Sequence, residues 1–140
     1  METKEVIEAI KTLRKYKTET NQIEAKDASG GFPKKCYDTI SSFSNKYGGI
    51  IIFGLSEDNN FKTVGVYDVN DLQKQISSLC SDSMEPSVRA NILPIEYEGK
   101  NIIAVKINEI IQSKKPCYYK PKGMKKFNRD VILYKNIIRI

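Results

Sequence analysis

Acidic residues at three points of the sequence could together hold a divalent metal ion. Glu19 and Glu24 lie five positions apart, and Glu57 follows an apolar segment, with Asp58 as the neighbouring alternative. Carboxylate oxygens are the ligands that Mg²⁺ or Mn²⁺ prefers. An odd separation puts two side chains on opposite faces of one strand, so convergence requires Glu19 to lie in the connection before the strand. The alternative is a set of solvated surface acids, which are common.

The segment Glu24-Ala25-Lys26 has the Glu-x-Lys form found in metal-dependent nucleases. Alternation along a strand would place both polar side chains on one face and Ala25 on the other. The alternative is a simple ion pair on a half-buried strand, and the spacing alone favours it.

Lysines near glycines and tyrosines offer a different chemistry, the binding of phosphate groups. Gly30-Gly31 precede Lys34 and Lys35 at a helix start, where backbone amides, the helix dipole and ammonium groups favour an anion. Near the end of the chain, Tyr118 and Tyr119 lie among lysines, a pattern suited to stacking bases. Neighbouring strand residues point in opposite directions, so one tyrosine faces the core. The candidate nucleic-acid contacts are Lys26, Lys34, Lys35, Tyr119, Lys120 and Lys122.

Several other chemistries are excluded by composition. The sequence has no histidine, which removes histidine-based nucleophile activation and histidine metal ligands. Cys36, Cys80 and Cys117 are widely separated, so we expect core residues, not a disulfide framework or a thiolate zinc site. The phosphate-binding loop of nucleotide hydrolases is also absent.

Charge is distributed unevenly along the chain. The net charge is +6, yet residues 1–113 hold 14 basic and 16 acidic residues, and residues 114–140 hold nine basic residues against Asp130 alone. Such asymmetry is typical of a phosphate-binding surface, and the alternative is a solvated basic end. The apolar segments are too short to span a membrane and the first residues do not form a signal peptide, so we expect a cytoplasmic protein.

The pattern of apolar residues predicts one α+β domain, because 140 residues are too few for two ordinary domains. Helices are predicted where apolar residues recur at helical spacing. The predicted apolar face of the first helix includes Tyr16, and that of the second helix includes Tyr47. Gly48-Gly49 mark a tight turn into a buried strand. The predicted elements are helices at 4–16, 34–47 and 69–80, a strand at 22–26, hairpins of 50–55 with 61–66 and of 88–97 with 101–107, and a last strand at 117–120.

Several segments of the chain together form a recognisable pattern: Ile23 to Ala28, Tyr37 to Asn45, Gly48 to Gly54, Val64 to Val66, Met84 to Pro86, the hairpin around Gly99, and Lys115 to Lys120. They resemble the Schlafen-type AlbA-like domain over about residues 5–124. The resemblance implies a mixed β-sheet with about three helices and a DNA-binding domain of bacterial transcriptional regulators and helicase-related proteins. In animal Schlafen relatives that cleave tRNA and rRNA, three carboxylates form a metal site, and the matching positions are Glu19, Glu24 and Glu57.

Two departures from the family pattern are visible. Leu55 and Ser56 separate Gly54 from Glu57, where the family more usually has an acid directly after Gly-Val. Residues 125–130 also lack the usual Gly-Ser-Tyr-x-Arg strand, so we expect a domain at 1–124 followed by an atypical basic tail at 125–140.

The sequence therefore favours a nucleic-acid-binding module that is the N-terminal domain of a bacterial transcriptional regulator. We expect this module to bind phosphate backbones through its basic residues and to need no cofactor. The alternatives are an endoribonuclease dependent on Mg²⁺ or Mn²⁺, and a protein-interaction module. Pro94 predicts that its strand lies at a sheet edge, and apolar surface near Ile92 would allow a homodimer.

Overall fold

A four-stranded mixed sheet forms the centre of the structure, a computed structural model that describes residues 1–121. The helices are α1 (Thr3–Tyr16), α2 (Cys36–Asn45) and α3 (Val69–Asp82), and the strands are β1 (Ile23–Lys26), β2 (Gly49–Phe53), β3 (Leu55–Ser56), β4 (Lys62–Thr63), β5 (Met84–Glu85), β6 (Ala90–Tyr97), β7 (Lys100–Ile107) and β8 (Tyr118–Tyr119). The strand order in the central sheet is β1-β2-β7-β6; β1 pairs with β2 in parallel, and the other neighbours are antiparallel.

One face of the sheet is covered by α1. Its apolar residues recur at helical spacing, so that Val6, Ile10 and Leu13 lie on one side and are fully buried. They form a cluster with Ile50 and Ile52 of β2, and the burial of each such side chain stabilises the fold by about 1.5–3 kcal/mol. The predicted first helix is thus confirmed.

The opposite face of the sheet packs against α2 and α3. Ile40 and Phe43 of α2, together with Ile76 of α3, cover Ile51 and Phe53, which alternate with the β2 residues that face α1. The long apolar character of β2 follows from this burial on both faces. Helix α3 begins where the side chain of Asp68 accepts a hydrogen bond from the backbone N–H of Asp71 at 3.0 Å, as a helix cap requires.

The glycine pair forms the predicted turn from α2 into β2. Gly48 has φ 74°, and a Cβ atom there would lie 2.7 Å from the carbonyl oxygen of Ile107. At Gly49 the obstacle is different: a Cβ atom would lie 2.6 Å from the ring of Phe43 and 2.8 Å from the carbonyl oxygen of Gln22. The two glycines therefore lie too close to α2, to the end of β7 and to the residue before β1 for either to carry a side chain.

Three details of the sequence prediction are wrong. Tyr16 and Tyr47 are 62% and 65% exposed, because each lies at or beyond the last turn of its helix, where the buried stripe ends. The strand predicted at 50–55 is interrupted at Gly54, whose φ of 116° breaks the extended path. The residues that follow form the short separate hairpin of β3 and β4 instead of a long one within the main sheet.

Other expectations are confirmed or lie outside the described residues. Strand β6, which contains Pro94, is at an edge of the central sheet, and all three cysteines are buried as free thiols. Within residues 1–121, no helix combines the length and apolar character needed to cross a bilayer. The predicted tail at 125–140 lies outside the described residues, and a homodimer through the Ile92 surface stays a prediction.

The last described strand is fixed to α2 by a side-chain clamp. Asn45 accepts a hydrogen bond from the backbone N–H of Cys117 at 2.7 Å and donates one to the carbonyl oxygen of the same residue at 2.9 Å. The hydroxyl of Ser41 donates to that carbonyl oxygen as well, at 2.8 Å. This clamp sets the position of β8 relative to α2.

Candidate functional site

Glu19 lies in the connection between α1 and β1, as its convergence with the other acids requires. The chain turns back here, since the backbone N–H of Thr20 donates to the carbonyl oxygen of Ile23 at 3.1 Å. The Glu19 carboxylate then accepts a hydrogen bond from the backbone N–H of Ala25 at 2.7 Å. Glu19 is thereby held beside β1, where it also forms a side-chain hydrogen bond with Glu57.

Glu57 reaches Glu19 because the loop after β3 is fixed to α1. Two consecutive residues, Asn60 and Phe61, adopt the left-handed conformation with φ 55° and 57°, and the Phe61 side chain is buried under α1. The Arg14 guanidinium donates hydrogen bonds to the carbonyl oxygen of Phe61 at 3.0 and 3.1 Å. Asparagine tolerates the left-handed conformation, but a bulky residue such as Phe61 does not favour it, so these contacts hold the loop in place.

Arg14 is itself oriented by an acidic partner. Its guanidinium makes a two-point interaction with the Glu98 carboxylate, with distances of 2.7 and 3.1 Å, and it also donates to the Thr63 hydroxyl at 3.1 Å. The hydrogen bonds from Arg14 and Thr63 lower the pKa of Glu98 to about 2. The paired geometry makes Arg14 a rigid support for the loop that presents Glu57.

Glu24 of β1 lies in the same region as Glu19 and Glu57. Its carboxylate lies 3.2 Å from the ammonium of Lys26 and accepts a hydrogen bond from the Thr39 hydroxyl of α2. The ion pair expected from the Glu-x-Lys spacing is therefore confirmed. Thr39 was not foreseen, although a polar residue on the buried face of a predicted helix was a visible signal.

All three glutamates line one open cavity of about 340 Å³ at the end of the sheet. The wall is completed by Ala25, Lys26 and Asp27 of the first strand region, Ser56 of β3 and Asp58 of the loop. Glu57 is the acid that hydrogen-bonds Glu19, whereas Asp58 only lines the cavity. We refer to this region as the carboxylate cavity.

The electrostatics of the carboxylate cavity are dominated by Glu19. Burial is the main cause that raises the pKa of Glu19 to about 7; the Ala25 amide opposes the increase, and the carboxylates of Glu57 and Glu24 add to it. A carboxyl group with this pKa exchanges protons near neutral pH, and in its protonated form Glu19 can donate a hydrogen bond to Glu57. The repulsion between the Glu19 carboxylate and its acidic neighbours is relieved either by a proton on Glu19 or by a bound cation.

The donor chemistry of the carboxylate cavity fits a hard divalent cation, but the present arrangement does not yet form a coordination shell. Within residues 1–121, no group of three acidic, histidine or cysteine side chains has its donor atoms placed to hold a metal ion. Glu24 is engaged by Lys26 and Thr39, so ligation would require its carboxylate to turn from these partners. Glu19, Glu24 and Glu57 are the side chains that would hold Mg²⁺ or Mn²⁺.

The predicted phosphate-binding residues from two distant segments meet at a pair of stacked tyrosines. The rings of Tyr37 in α2 and Tyr119 in β8 have centroids 4.0 Å apart and an angle of 14° between their planes. Lys34 and Lys35 directly precede α2, and Lys120 directly follows β8; all three are exposed. Tyr118 is buried, so Tyr119 is the accessible tyrosine of the two, as expected. We call these five residues the lysine-tyrosine surface: Lys34, Lys35, Tyr37, Tyr119 and Lys120.

The remaining candidates are placed differently. Lys26 lies in the wall of the carboxylate cavity, not on the lysine-tyrosine surface. Lys122 lies outside the described residues. Burial raises the pKa of the Cys36 and Cys80 thiols to about 12, which makes both poor nucleophiles and agrees with a packing role.

Comparisons with known proteins place this arrangement in a family. The fold is similar to the N-terminal domain of a protein from Nitrosomonas europaea related to the ATP-dependent DNA helicase RecG, with 24% identity, a TM-score of 0.69 and coverage of 86% of this chain and 84% of that one. The DIP2311 protein from Corynebacterium diphtheriae is similar at 12% identity and a TM-score of 0.53, over 83% of this chain and 24% of its own length. A comparison with curated protein sequences finds no match. The family model described as Schlafen, AlbA_2 matches residues 19–135, and this chain therefore belongs to that family.

Proposed function

We propose that this domain binds nucleic acid through the lysine-tyrosine surface. The observation that supports the proposal most strongly is the stack of Tyr37 on Tyr119, which unites two lysine-bearing segments from distant parts of the sequence. Ammonium groups neutralise backbone phosphates, and aromatic rings accept stacked bases of any sequence. The proposed contacts are sequence-independent, because lysines that meet phosphates read no base edges.

The setting that we propose is that of a bacterial DNA-binding protein, the N-terminal domain of a transcriptional regulator. Family membership supports this setting, and so does the similarity in fold to a domain from a helicase-related protein. The free thiols of all three cysteines support a reducing compartment such as the cytoplasm.

The test is binding of labelled duplex DNA and labelled tRNA to the purified chain by fluorescence anisotropy at several salt concentrations. Replacement of Lys34, Lys35 and Lys120 together by alanine should reduce the slope of log K against log salt by about 2–3, because each phosphate contact contributes about 0.7–0.9. The matched control replaces Lys4, Lys11 and Lys74, which are exposed elsewhere and remove the same charge. Equal losses in both triple variants would contradict a specific surface, and no binding by the unmodified chain would refute the proposal.

A second candidate function is a metal-dependent endoribonuclease, favoured by one observation. Glu19, Glu24 and Glu57 come from three separate segments, yet they line a single cavity. A bound Mg²⁺ or Mn²⁺ would supply an activated water and stabilise the departing oxygen. The part of this chain's own residues would be to hold the cation, with Glu19 losing its proton and Lys26 separating from Glu24.

The nuclease is tested by incubating labelled tRNA with the chain in Mn²⁺ or in EDTA, beside Glu24→Gln and Glu8→Gln. Cleavage that requires both Mn²⁺ and Glu24, and that survives in the exposed control Glu8→Gln, would establish the enzyme. Thermal unfolding with and without Mn²⁺ gives a separate readout of metal binding, since a cation that binds only the folded chain raises the transition temperature. An intact product and an unchanged transition would refute this second function.

A further inference from the structure

A second cavity adjoins the carboxylate cavity and shares Glu24 with it. This cavity has a volume of about 290 Å³ and lies between the end of α2 and the connection that precedes β1. Its size is near the lower end of the range for small-molecule pockets, which begins at about 300 Å³. Besides Glu24, its lining residues are Thr20, Asn21, Ser42, Phe43, Lys46 and Tyr47. No part of the function argued so far uses them.

Two lining residues of this cavity supply a cation and an exposed aromatic ring. Tyr47 is 65% exposed, so most of its ring surface is open to a ligand. Lys46 is also exposed, and it forms no ion pair with any acidic residue of the described chain. The backbone at Tyr47 is fixed by the Gln22 amide, which donates to its carbonyl oxygen at 3.3 Å. The ring is therefore presented from an anchored position.

Three other lining residues offer neutral polar groups. Asn21, Thr20 and Ser42 supply amide and hydroxyl groups that can donate and accept hydrogen bonds. The negative charge of Glu24 is balanced by the ammonium of Lys26, which lies 3.2 Å from the Glu24 carboxylate. A ring, a cation and neutral hydrogen-bonding groups are the components with which proteins hold an unpaired nucleotide.

Helix α2 links this second cavity to the lysine-tyrosine surface. Lys35, Thr39, Ser42 and Lys46 follow one another at intervals of three or four residues, so they run along one side of the helix. Lys35 and Lys46 lie at its two ends, roughly 16 Å apart along the axis at 1.5 Å per residue. Thr39 contacts Glu24 midway between them. Thr39 is fully buried, so Lys35, Ser42 and Lys46 are the members of this row that a chain of phosphates could reach.

We propose that the second cavity is a subsite for one nucleotide of a single-stranded nucleic acid, with its base stacked on Tyr47 and its phosphate beside Lys46. This inference rests on the proposed nucleic-acid-binding function and specifies the form of the ligand. A duplex is disfavoured, because its bases are already stacked on their neighbours and cannot enter a pocket without being extruded. The strand continues along α2 toward Lys35 and passes the mouth of the carboxylate cavity.

The test measures anisotropy of three labelled probes: a short oligoadenylate in ribose and deoxyribose forms, an abasic strand of the same length, and a duplex. Tyr47→Ala should weaken oligoadenylate binding roughly 5- to 150-fold, the range for loss of one stacked base, and should leave the abasic strand unaffected. Tyr47→Phe should bind as the unmodified chain does, because it keeps the ring. Lys46→Ala should weaken both strands and reduce the salt slope by about 0.7.

The matched controls are Tyr67→Ala and Lys74→Ala, which remove an exposed ring and an exposed cation that line neither cavity. Circular dichroism and thermal unfolding establish that each variant is folded. If the unmodified chain binds oligoadenylate and Tyr47→Ala binds it equally well, the subsite is refuted while the proposed function stands. The same losses for duplex as for single strands would also refute it. Absence of binding to every probe would refute both.

Discussion

The ring of Tyr37 stacks on that of Tyr119 at a centroid distance of 4.0 Å, and this contact joins the start of α2 to the last described strand. Asn45, two turns further along α2, holds the neighbouring Cys117 by hydrogen bonds to both of its backbone groups. Helix α2 thus fixes the segment that ends in Lys120 at two separate points. The proposed surface depends on both.

Loss of the stack should loosen that attachment. We expect Tyr37→Ala to lower the free energy of unfolding by about 0.5–1.5 kcal/mol for the ring pair, plus the apolar area exposed, whereas Tyr37→Phe should retain most of it. Urea unfolding measures both variants. A Tyr37→Ala protein as stable as Tyr37→Phe would show that the stack does not hold β8 in place.

The Asn45 clamp should be more sensitive to substitution than any exposed asparagine. Asn45→Ala leaves the backbone N–H of Cys117 without its acceptor, which costs about 1–3 kcal/mol for a buried donor. Asn70→Ala, at an exposed position in α3, should change stability by less than about 0.5 kcal/mol. Faster hydrogen exchange at the Cys117 amide in Asn45→Ala, and not in Asn70→Ala, is the expected local signature. An unchanged exchange rate would contradict the clamp.

Alanine substitutions at two glycines should have opposite effects. Gly49→Ala forces a Cβ atom to within 2.6 Å of the Phe43 ring, and such overpacking costs about 1–3 kcal/mol. Gly30→Ala meets no atom within 4 Å, so it should be neutral or stabilise by about 0.4–1 kcal/mol through the unfolded chain. Thermal unfolding of the two variants decides the matter, and equal stability would contradict the described close approach at Gly49.

The raised pKa of Glu19 predicts a stability that falls as pH rises. Its pKa is about 7 in the folded chain and 4.5 ordinarily, so the folded state binds the extra proton between these values. The full stability contribution is present below the lower value and is lost as pH rises through the upper one. Because Glu19 is only half-buried, we expect a loss of about 1–2 kcal/mol, less than the full shift implies.

Glu19→Gln should remove this dependence, since its amide can accept from Ala25 and donate to Glu57 without a charge. Urea unfolding at about pH 5 and about pH 8 measures the difference, and Glu8→Gln on the exposed side of α1 is the control. The lowered pKa of Glu98 does not interfere, because its contribution changes only below its ordinary value. Identical pH slopes for the unmodified chain and Glu19→Gln would contradict the assignment.

The helices and the glycine turn were predictable because they follow from local patterns. The spacing of Val6, Ile10 and Leu13 indicates α1 by itself, and Gly48-Gly49 before four apolar residues indicates the entry into β2. The edge position of β6 follows from Pro94, which cannot donate to a neighbouring strand. Each of these predictions needs only a short stretch of chain.

The convergence of side chains was predictable only in part. The position of Glu19 before β1 follows from the spacing to Glu24, but its hydrogen bond with Glu57 depends on Arg14 and on the left-handed residues Asn60 and Phe61. No local pattern indicates such contacts, because they join segments far apart in sequence. The second cavity was missed for a similar reason: Tyr47 continues the helical spacing of α2, yet the helix ends at Asn45 and leaves the ring exposed.

The most direct test of nucleic-acid binding follows backbone amide chemical shifts during titration of the isotope-labelled chain with a short duplex DNA and with oligoadenylate. The account predicts salt-sensitive changes at Lys34, Lys35, Tyr37, Tyr119 and Lys120 for both ligands, with changes at Lys46 and Tyr47 for the single strand only. Helix α1, on the opposite face of the sheet, should remain unaffected. Changes confined to α1, or no changes with either ligand at low salt, would contradict the account.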